Sequence, residues 1–259
     1  MMLKKLVTGM GLSLGMIITL PTHAAQLNII ASGSFHGAMD TLIPLYEKST
    51  GNTVHIEWGP SAGKSPESLP MRIKNNEKMD LAIILDDALK SEELSKNFDL
   101  SSRTELANSK IGLAVSKGSK KPSIKTKEEL RAALLSADKV AYSQGSSGVY
   151  IRSTLFKELN IEQEMQAKGL EVPGKKLVGE VLADHQANMG MQQISELKHT
   201  KGITFIGPIP ESLQYVSKFS SVISKNAENP ALAAQFVQFL KSKQASEEIL
   251  SSGLEPISK

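Results

Sequence analysis

Short apolar segments alternate with amphipathic ones along most of the chain, and this alternation restricts the fold more than any other feature. Leu27 to Ala31 reads as a strand, followed by the loop Ser32-Gly33-Ser34. From about His36 to Lys48, Met39, Leu42, Ile43 and Tyr46 recur at helical spacing, and Pro44 predicts a kink within the run. Gly51-Asn52 ends that helix, and Thr53 to Trp58 forms a second strand. A Gly/Pro/Ser loop from Gly59 to Pro66 leads to a helix near Ser68 to Asn75. Asp80 to Leu85 is a third strand, and its unbroken apolar run suits a strand covered on both faces. This order, β-α-β-α-β, predicts a doubly wound unit.

A second set of elements begins at Ile111 to Val115. Thr126 and Glu129 form a capping-box pattern for a helix through Leu135, Val140 to Tyr142 reads as a strand, and Gly148 to Leu159 as a helix. Lys176 to Leu182, Met189 to Gln193 and Ile203 to Ile206 complete a second α/β set. Asn229-Pro230, an N-cap followed by an N1 proline, opens a helix to about Leu240, and a last helix covers Ser246 to Ser251. The predicted architecture is α/β, with two doubly wound lobes and a central ligand cleft. Residues 25–107 with 209–259 are expected in one lobe and 108–208 in the other. Strand carboxyl ends and helix N-termini converge in such a cleft, which favours small anions, and closure of the lobes is the expected motion.

Residues 1–24 read as a cleaved export signal rather than as part of the fold. Lys4 and Lys5 are followed by the apolar stretch Leu6 to Leu20, then Pro21 and the small-residue site Thr22-His23-Ala24. Gly9, Gly11 and Gly15 make that stretch a poor buried helix, and it is short for a membrane span, so no membrane anchor is expected. A soluble periplasmic protein follows. The full chain has 30 basic and 27 acidic side chains, net +3; losing Lys4 and Lys5 leaves the mature chain at +1. No basic cluster tracks nucleic-acid phosphates, since Lys117 to Lys127 is interrupted by Gly, Ser and Pro. There is no cysteine, which excludes disulfides, thiolate metal sites, a cysteine nucleophile and a lipoprotein anchor.

Three strand-to-helix loops are rich in Ser and Gly: Ser32 to Ser34, Gly59 to Lys64 and Ser143 to Gly148. Such loops supply backbone N–H groups and hydroxyls for an anion, and the same residues also serve as plain turn and cap formers. Gly59-Pro-Ser-Ala-Gly-Lys-Ser65 is not a phosphate-binding P-loop, because it has three residues between its glycines rather than four, and Pro60 lacks a donor. The histidines show no metal spacing, and neither a calcium loop nor a Gly-x-Ser-x-Gly elbow occurs, so no metal or other cofactor is expected. His36 stands apart because it opens a helix directly after the Ser34 loop.

With these residues in view, the chain resembles type II periplasmic binding proteins, and more narrowly the periplasmic molybdate-binding protein family. The resemblance covers nearly all of the mature chain. It implies oxyanion contacts at Ser34, at Ser61, at Ser147 ahead of Gly148-Val149-Tyr150, and through the backbone near Ala187. The family's tyrosine on the late strand falls on Phe205, which lacks the hydroxyl. Lys64, Arg72, His36 and Arg152 lie just beyond these positions, where that family relies on neutral donors; cationic donors suit carboxylates better. Trp58-Gly-Pro-Ser-Ala-Gly63, Ser147-Gly-Val-Tyr-Ile151, Gln192-Gln-Ile-Ser-Glu-Leu197, Gly202-Ile-Thr-Phe-Ile-Gly-Pro208 and Ser252-Gly-Leu-Glu-Pro256 are similar to a branch of periplasmic aconitate isomerases.

The resemblance implies interconversion of cis- and trans-aconitate by an allylic proton shift. Such a reaction needs a grip on carboxylates, a base for the methylene proton, and donors for the charge that develops. Ser34, Ser61, Gly63, Ser147, Gly148, Tyr150, Gln192 and Gln193 are the candidate substrate contacts, with Lys64 and Arg72 matching charge. His36 is the candidate base, because imidazole titrates near neutral pH. A second function remains open: a receptor that hands a tricarboxylate or a molybdate-like oxyanion to an ABC permease, using the same pocket without turnover.

Overall fold

A computed structural model describes residues 24–257, so nearly all of the expected signal lies outside the described residues. The first half of the chain runs β1 (Gln26–Ala31), α1 (His36–Thr50), β2 (Thr53–Trp58), α2 (Leu69–Lys74), β3 (Leu81–Leu85), α3 (Glu92–Asn97) and β4 (Phe98–Ser109). There follow β5 (Ile111–Ser116), α4 (Lys127–Ser136), β6 (Val140–Ser143), α5 (Ser146–Tyr150), a π-helical stretch (Ile151–Leu155) and α6 (Phe156–Glu158). Next come α7 (Glu162–Lys168), β7 (Gly169–Val172), α8 (Val178–Ala183), β8 (Met189–Gln193), α9 (Ile194–His199) and β9 (Ile203–Pro208). The chain closes with β10 (Ser217–Ser224), α10 (Pro230–Leu240), α11 (Lys243–Ser252) and β11 (Glu255–Pro256).

The strands form two sheets, ordered β11-β4-β10-β3-β1-β2 and β7-β6-β8-β5-β9. In the first, β1 pairs in parallel with β2 and β3, while β10 and β4 run antiparallel to their neighbours. In the second, β6 is parallel to β7 and β8, and β5 is antiparallel to β8 and β9. Each lobe is therefore a mixed sheet built around a parallel core, with helices on both faces. The alternation in β1 and β3 accounts for this. Leu27, Ile29, Leu81 and Ile83 join the core beneath α1, α10 and α11, while Ile30, Ala82 and Ile84 face a second core with Leu69, Leu94 and Phe98.

Helix α1 runs uninterrupted through Pro44 and ends at Gly51, whose φ of 73° is the left-handed cap conformation that glycine tolerates. The helix expected to open at Gly148 starts two residues earlier, at Ser146, and changes to π-helical winding over Ile151–Leu155. Thr126 Oγ1 accepts from the Glu129 amide as expected, but the Glu129 carboxylate turns back to the Lys125 amide and the Ser123 hydroxyl. At α10 the Asn229 amide group donates to the Gln26 carbonyl, so its side chain makes no cap.

Two connections carry the chain between the sheets. β4 ends at Ser109 and β5 starts at Ile111, in the other sheet; the return runs from β9 through residues 209–216 into β10. No helix among the described residues is long and apolar enough to cross a membrane.

Candidate functional site

A cleft of about 500 Å³ lies between the lobes. Every parallel strand that reaches it delivers its carboxyl end: the loops after β1 and β2 form one wall, and those after β6, β7 and β8 form the other. This is the crevice where an α/β sheet places ligands. Ser34, Ser61 and Ser147, on three of these loops, are nearly fully buried and line the same space. Ser61 Oγ accepts the Leu85 amide at 2.9 Å, which ties its loop to the end of β3 and leaves the hydroxyl hydrogen for a ligand. Ser147 Oγ sits 3.4 Å from Ser143 Oγ at the start of α5.

Gln192 and Gln193, at the end of β8, also line the cleft. Gln192 Oε1 accepts the Val178 amide at 2.8 Å, and Gln193 Nε2 donates to Ser217 Oγ at 2.8 Å. Gln193 Oε1 is buried with no partner. Tyr150 stacks on Tyr215 with centroids 5.0 Å apart, and its hydroxyl donates to the Leu213 carbonyl. It offers the cleft a ring face rather than a donor. Gly63 lines the cleft with φ at 104°, a conformation that strains any side chain.

Several expected contacts lie elsewhere. Arg72 is turned into its own lobe: Nε donates to the Glu67 carbonyl at 2.9 Å, Nη1 pairs with Glu77 at 2.8 Å and Nη2 with Glu57 at 3.3 Å. It holds the Gly59–Pro66 loop in place and cannot match a ligand's charge. Arg72→Met is therefore expected to lower stability by about 1–3 kcal/mol while ligand affinity of the folded protein changes little, measurable by melting and ligand titration. Lys64 is exposed and outside the cleft lining. Gly148 lies outside the cleft lining, packed so closely that a Cβ there would stand 1.5 Å from the Ser143 carbonyl oxygen. Arg152 is exposed and pairs with Glu171 at 3.3 Å. Phe205 and Ala187 belong to the apolar core of the second lobe and lie outside the cleft lining. The cations that do line it are Lys175 and Lys176, after β7. Nothing in their local sequence marks them as site residues.

Two titratable groups line the cleft, His36 from the first lobe and Glu196 from the second. His36, at the start of α1, lies between Trp58, with centroids 3.7 Å apart, and His199 at 5.1 Å. Burial and the neighbouring His199 pull its pKa down to about 4, against weaker opposing pulls from Asp40 and Glu180. It is a neutral imidazole at physiological pH, and it titrates well below the neutral range expected from the sequence, because burial and His199 disfavour its charged form. Glu196, in the first turn of α9, is 9% exposed, and no cation pairs with it among the described residues. Burial pushes its pKa up to about 8, although hydrogen bonds with Gln192 and the Gln193 backbone oppose the shift. Glu196 is not among the residues that the sequence marks as candidates. The available signal was its place: the acid of a Gln-Gln-Ile-Ser-Glu run just past a strand end. Among the described residues, no group of three His, Cys, Asp or Glu is arranged to hold a metal ion.

Residues 27–255 match the family described as bacterial extracellular solute-binding protein. The aconitate isomerase of a Pseudomonas species is 34% identical over 252 residues, covering 95% of this chain and 96% of that one. The periplasmic molybdate-binding protein of Azotobacter vinelandii superposes with a TM-score of 0.72 at 19% identity, over 88% of this chain and 98% of that one. The sulfate-binding protein of Mycobacterium tuberculosis superposes with a TM-score of 0.70 at 13% identity, over 90% and 87%. With two lobes, a ligand-sized cleft at the strand ends and a match along nearly all of the described residues, the chain belongs to the bacterial extracellular solute-binding protein family.

Proposed function

We propose that this protein is an exported, periplasmic enzyme that interconverts cis- and trans-aconitate. The observation that carries the reading is 34% identity to an aconitate isomerase along almost the full length of both chains. The cleft supports it chemically, because a pure oxyanion receptor needs only neutral donors, whereas this one also holds two titratable groups, His36 and Glu196.

Aconitate is a tricarboxylate with one methylene and one alkene CH flanking its central carbon. Removing a methylene proton and adding one to the far alkene carbon makes the two ends exchange roles, and the new double bond forms with the other geometry. The hydroxyls of Ser34, Ser61 and Ser147 are placed to hold carboxylates, and Lys175 and Lys176 supply positive charge at the rim. His36, neutral and held by its stack, accepts the methylene proton. The C–H electron pair becomes the new π bond, and the charge that builds on the carboxylates falls on donors already in position.

The solute-binding family match supports a second reading, in which the same cleft captures the anion for an ABC permease without turnover. Proton NMR of the mature protein with cis-aconitate in heavy water separates the two. Appearance of trans-aconitate carrying deuterium in its methylene is the expected result. Line broadening of unchanged substrate would instead establish the receptor.

A further inference from the structure

We propose that Glu196 is the second proton-transfer residue of this cleft: its carboxylic acid delivers a proton to the far alkene carbon as His36 removes one from the methylene. The inference rests on the isomerase reading and extends it to the residue that completes the shift.

The argument begins with placement. His36 stands at the start of α1 in the first lobe, and Glu196 in the first turn of α9 in the second. Both line the cleft, so acid and base come from opposite walls, as a proton taken at one carbon and returned at another two bonds away requires. Glu196 is also the sole acidic side chain of the lining among the described residues. Its Oε1 lies over Gly33, only 2.8 Å from where a Cβ would stand, so glycine at that position lets the carboxyl reach between the lobes. Gln192, anchored through Oε1 by the Val178 amide, keeps its own amide N–H for the Glu196 carboxyl.

The second argument is electrostatic. The titratable groups on the surrounding elements are His36, Asp40, Tyr46, Glu47 and Lys48 on α1, Glu180 on α8, and Lys198 and His199 on α9. Lys175 and Lys176 lie in the loop before α8, and Lys243, Glu247 and Glu248 on α11. Asp40 pairs with His199 at 3.5 Å, Lys176 with Asp184 at 3.6 Å, and Lys198 donates to the Ser251 carbonyl. None of them pairs with Glu196, so burial outweighs the opposing hydrogen bonds from Gln192 and the Gln193 backbone, and with a pKa of about 8 the group is a carboxylic acid at neutral pH. A buried carboxylic acid without a cation is unusual as a structural element and well suited as a proton donor.

The step balances without any further reagent. One C–H bond breaks and its proton goes to His36; its electron pair forms the new double bond. The former π pair takes the proton of Glu196, leaving a carboxylate and an imidazolium. Running the reaction from the other isomer, or exchange with water, restores both.

The test compares wild type, Glu196→Gln and Glu196→Asp for kcat, KM and pH dependence with aconitate, alongside substrate binding by NMR line broadening. Gln keeps the size and one N–H donor but carries no transferable proton. The expected result is a loss of kcat of about 100-fold or more in Glu196→Gln with binding retained, and disappearance of the alkaline limb that wild type shows near pH 8. A Glu196→Gln enzyme with wild-type kcat, or with that limb intact, overturns the proposal. Should Glu196→Gln fail to fold, Glu196→Asp decides: reduced kcat with binding retained supports the role, and full kcat overturns it. A wild type that binds aconitate without converting it refutes the isomerase reading and this proposal together, whereas an active wild type with an indifferent Glu196 refutes this proposal alone.

Discussion

Gly148→Ala should lose most of its ligand affinity and several degrees of melting temperature, although residue 148 lies outside the cleft lining. The added methyl group would stand 1.5 Å from the Ser143 carbonyl oxygen and 2.6 Å from its carbonyl carbon. Both are backbone atoms, so no side-chain rotation relieves the clash. Either the carboxyl end of β6 or the first turn of α5 must move. The hydroxyls of Ser143 and Ser147, which stand 3.4 Å apart in the cleft wall, move with it. Overpacking of this kind costs about 1–3 kcal/mol. A displacement of one loop also separates Ser147 from the donors it works with. Gly37→Ala is the contrasting case, because its nearest neighbour, Ser252 Cβ, lies at an ordinary 3.5 Å within a helix that favours alanine. Melting curves and aconitate titrations of the two variants check the argument; a Gly148→Ala protein with wild-type values would sink it.

The same glycine illustrates how much of the site the sequence discloses. The alternation of β1, α1, β2, α2 and β3 is legible because strands covered on both faces are apolar throughout and the helices carry one apolar stripe. The three Ser/Gly loops follow from that order, since they must sit at strand carboxyl ends. β4 and β10 are not legible. Their sequences, rich in Ser and with charged residues exposed along much of β4, lack both the alternation and the apolar run, because the two strands pair with each other along their length in the first sheet. Charge is the least legible property. Lys64 and Arg72 stand beside Ser61 in sequence, yet one points to solvent and the other into a knot of carboxylates. The lysines that reach the cleft come from a loop over a hundred positions further along the chain. Glu196 is invisible for a related reason, as only the fold reveals that no cation among the described residues accompanies it.

Replacing His36 should remove turnover while leaving binding in place. His36→Asn keeps a polar group and His36→Phe keeps the stack on Trp58, and neither can accept a proton from carbon. Loss of a positioned base lowers kcat by about 100- to 10,000-fold, and KM should change little because the gripping hydroxyls are untouched. Phe tests whether the stack alone matters; if His36→Phe turns over normally, the base is another group. The variants also change stability in a way whose sign is set. Wild-type His36 has a pKa of about 4 in the fold against an ordinary 6.5. Between these values the unfolded chain binds the extra proton and the folded one does not. Its contribution to stability is complete above pH 6.5 and is lost as pH falls toward 4. Either substitution removes that dependence, so the variant minus wild-type difference in melting temperature should rise on acidification from pH 7 to 4. Glu196 works in the opposite direction. With its pKa raised to about 8 from 4.5, its contribution is complete below pH 4.5 and is lost as pH rises through 8. Melting series of the His36 and Glu196 variants should therefore diverge from wild type at opposite ends of the pH range. A His36 series that tracks wild type at every pH would show that the imidazole is not held neutral, and with it the case for His36 as the base would fall.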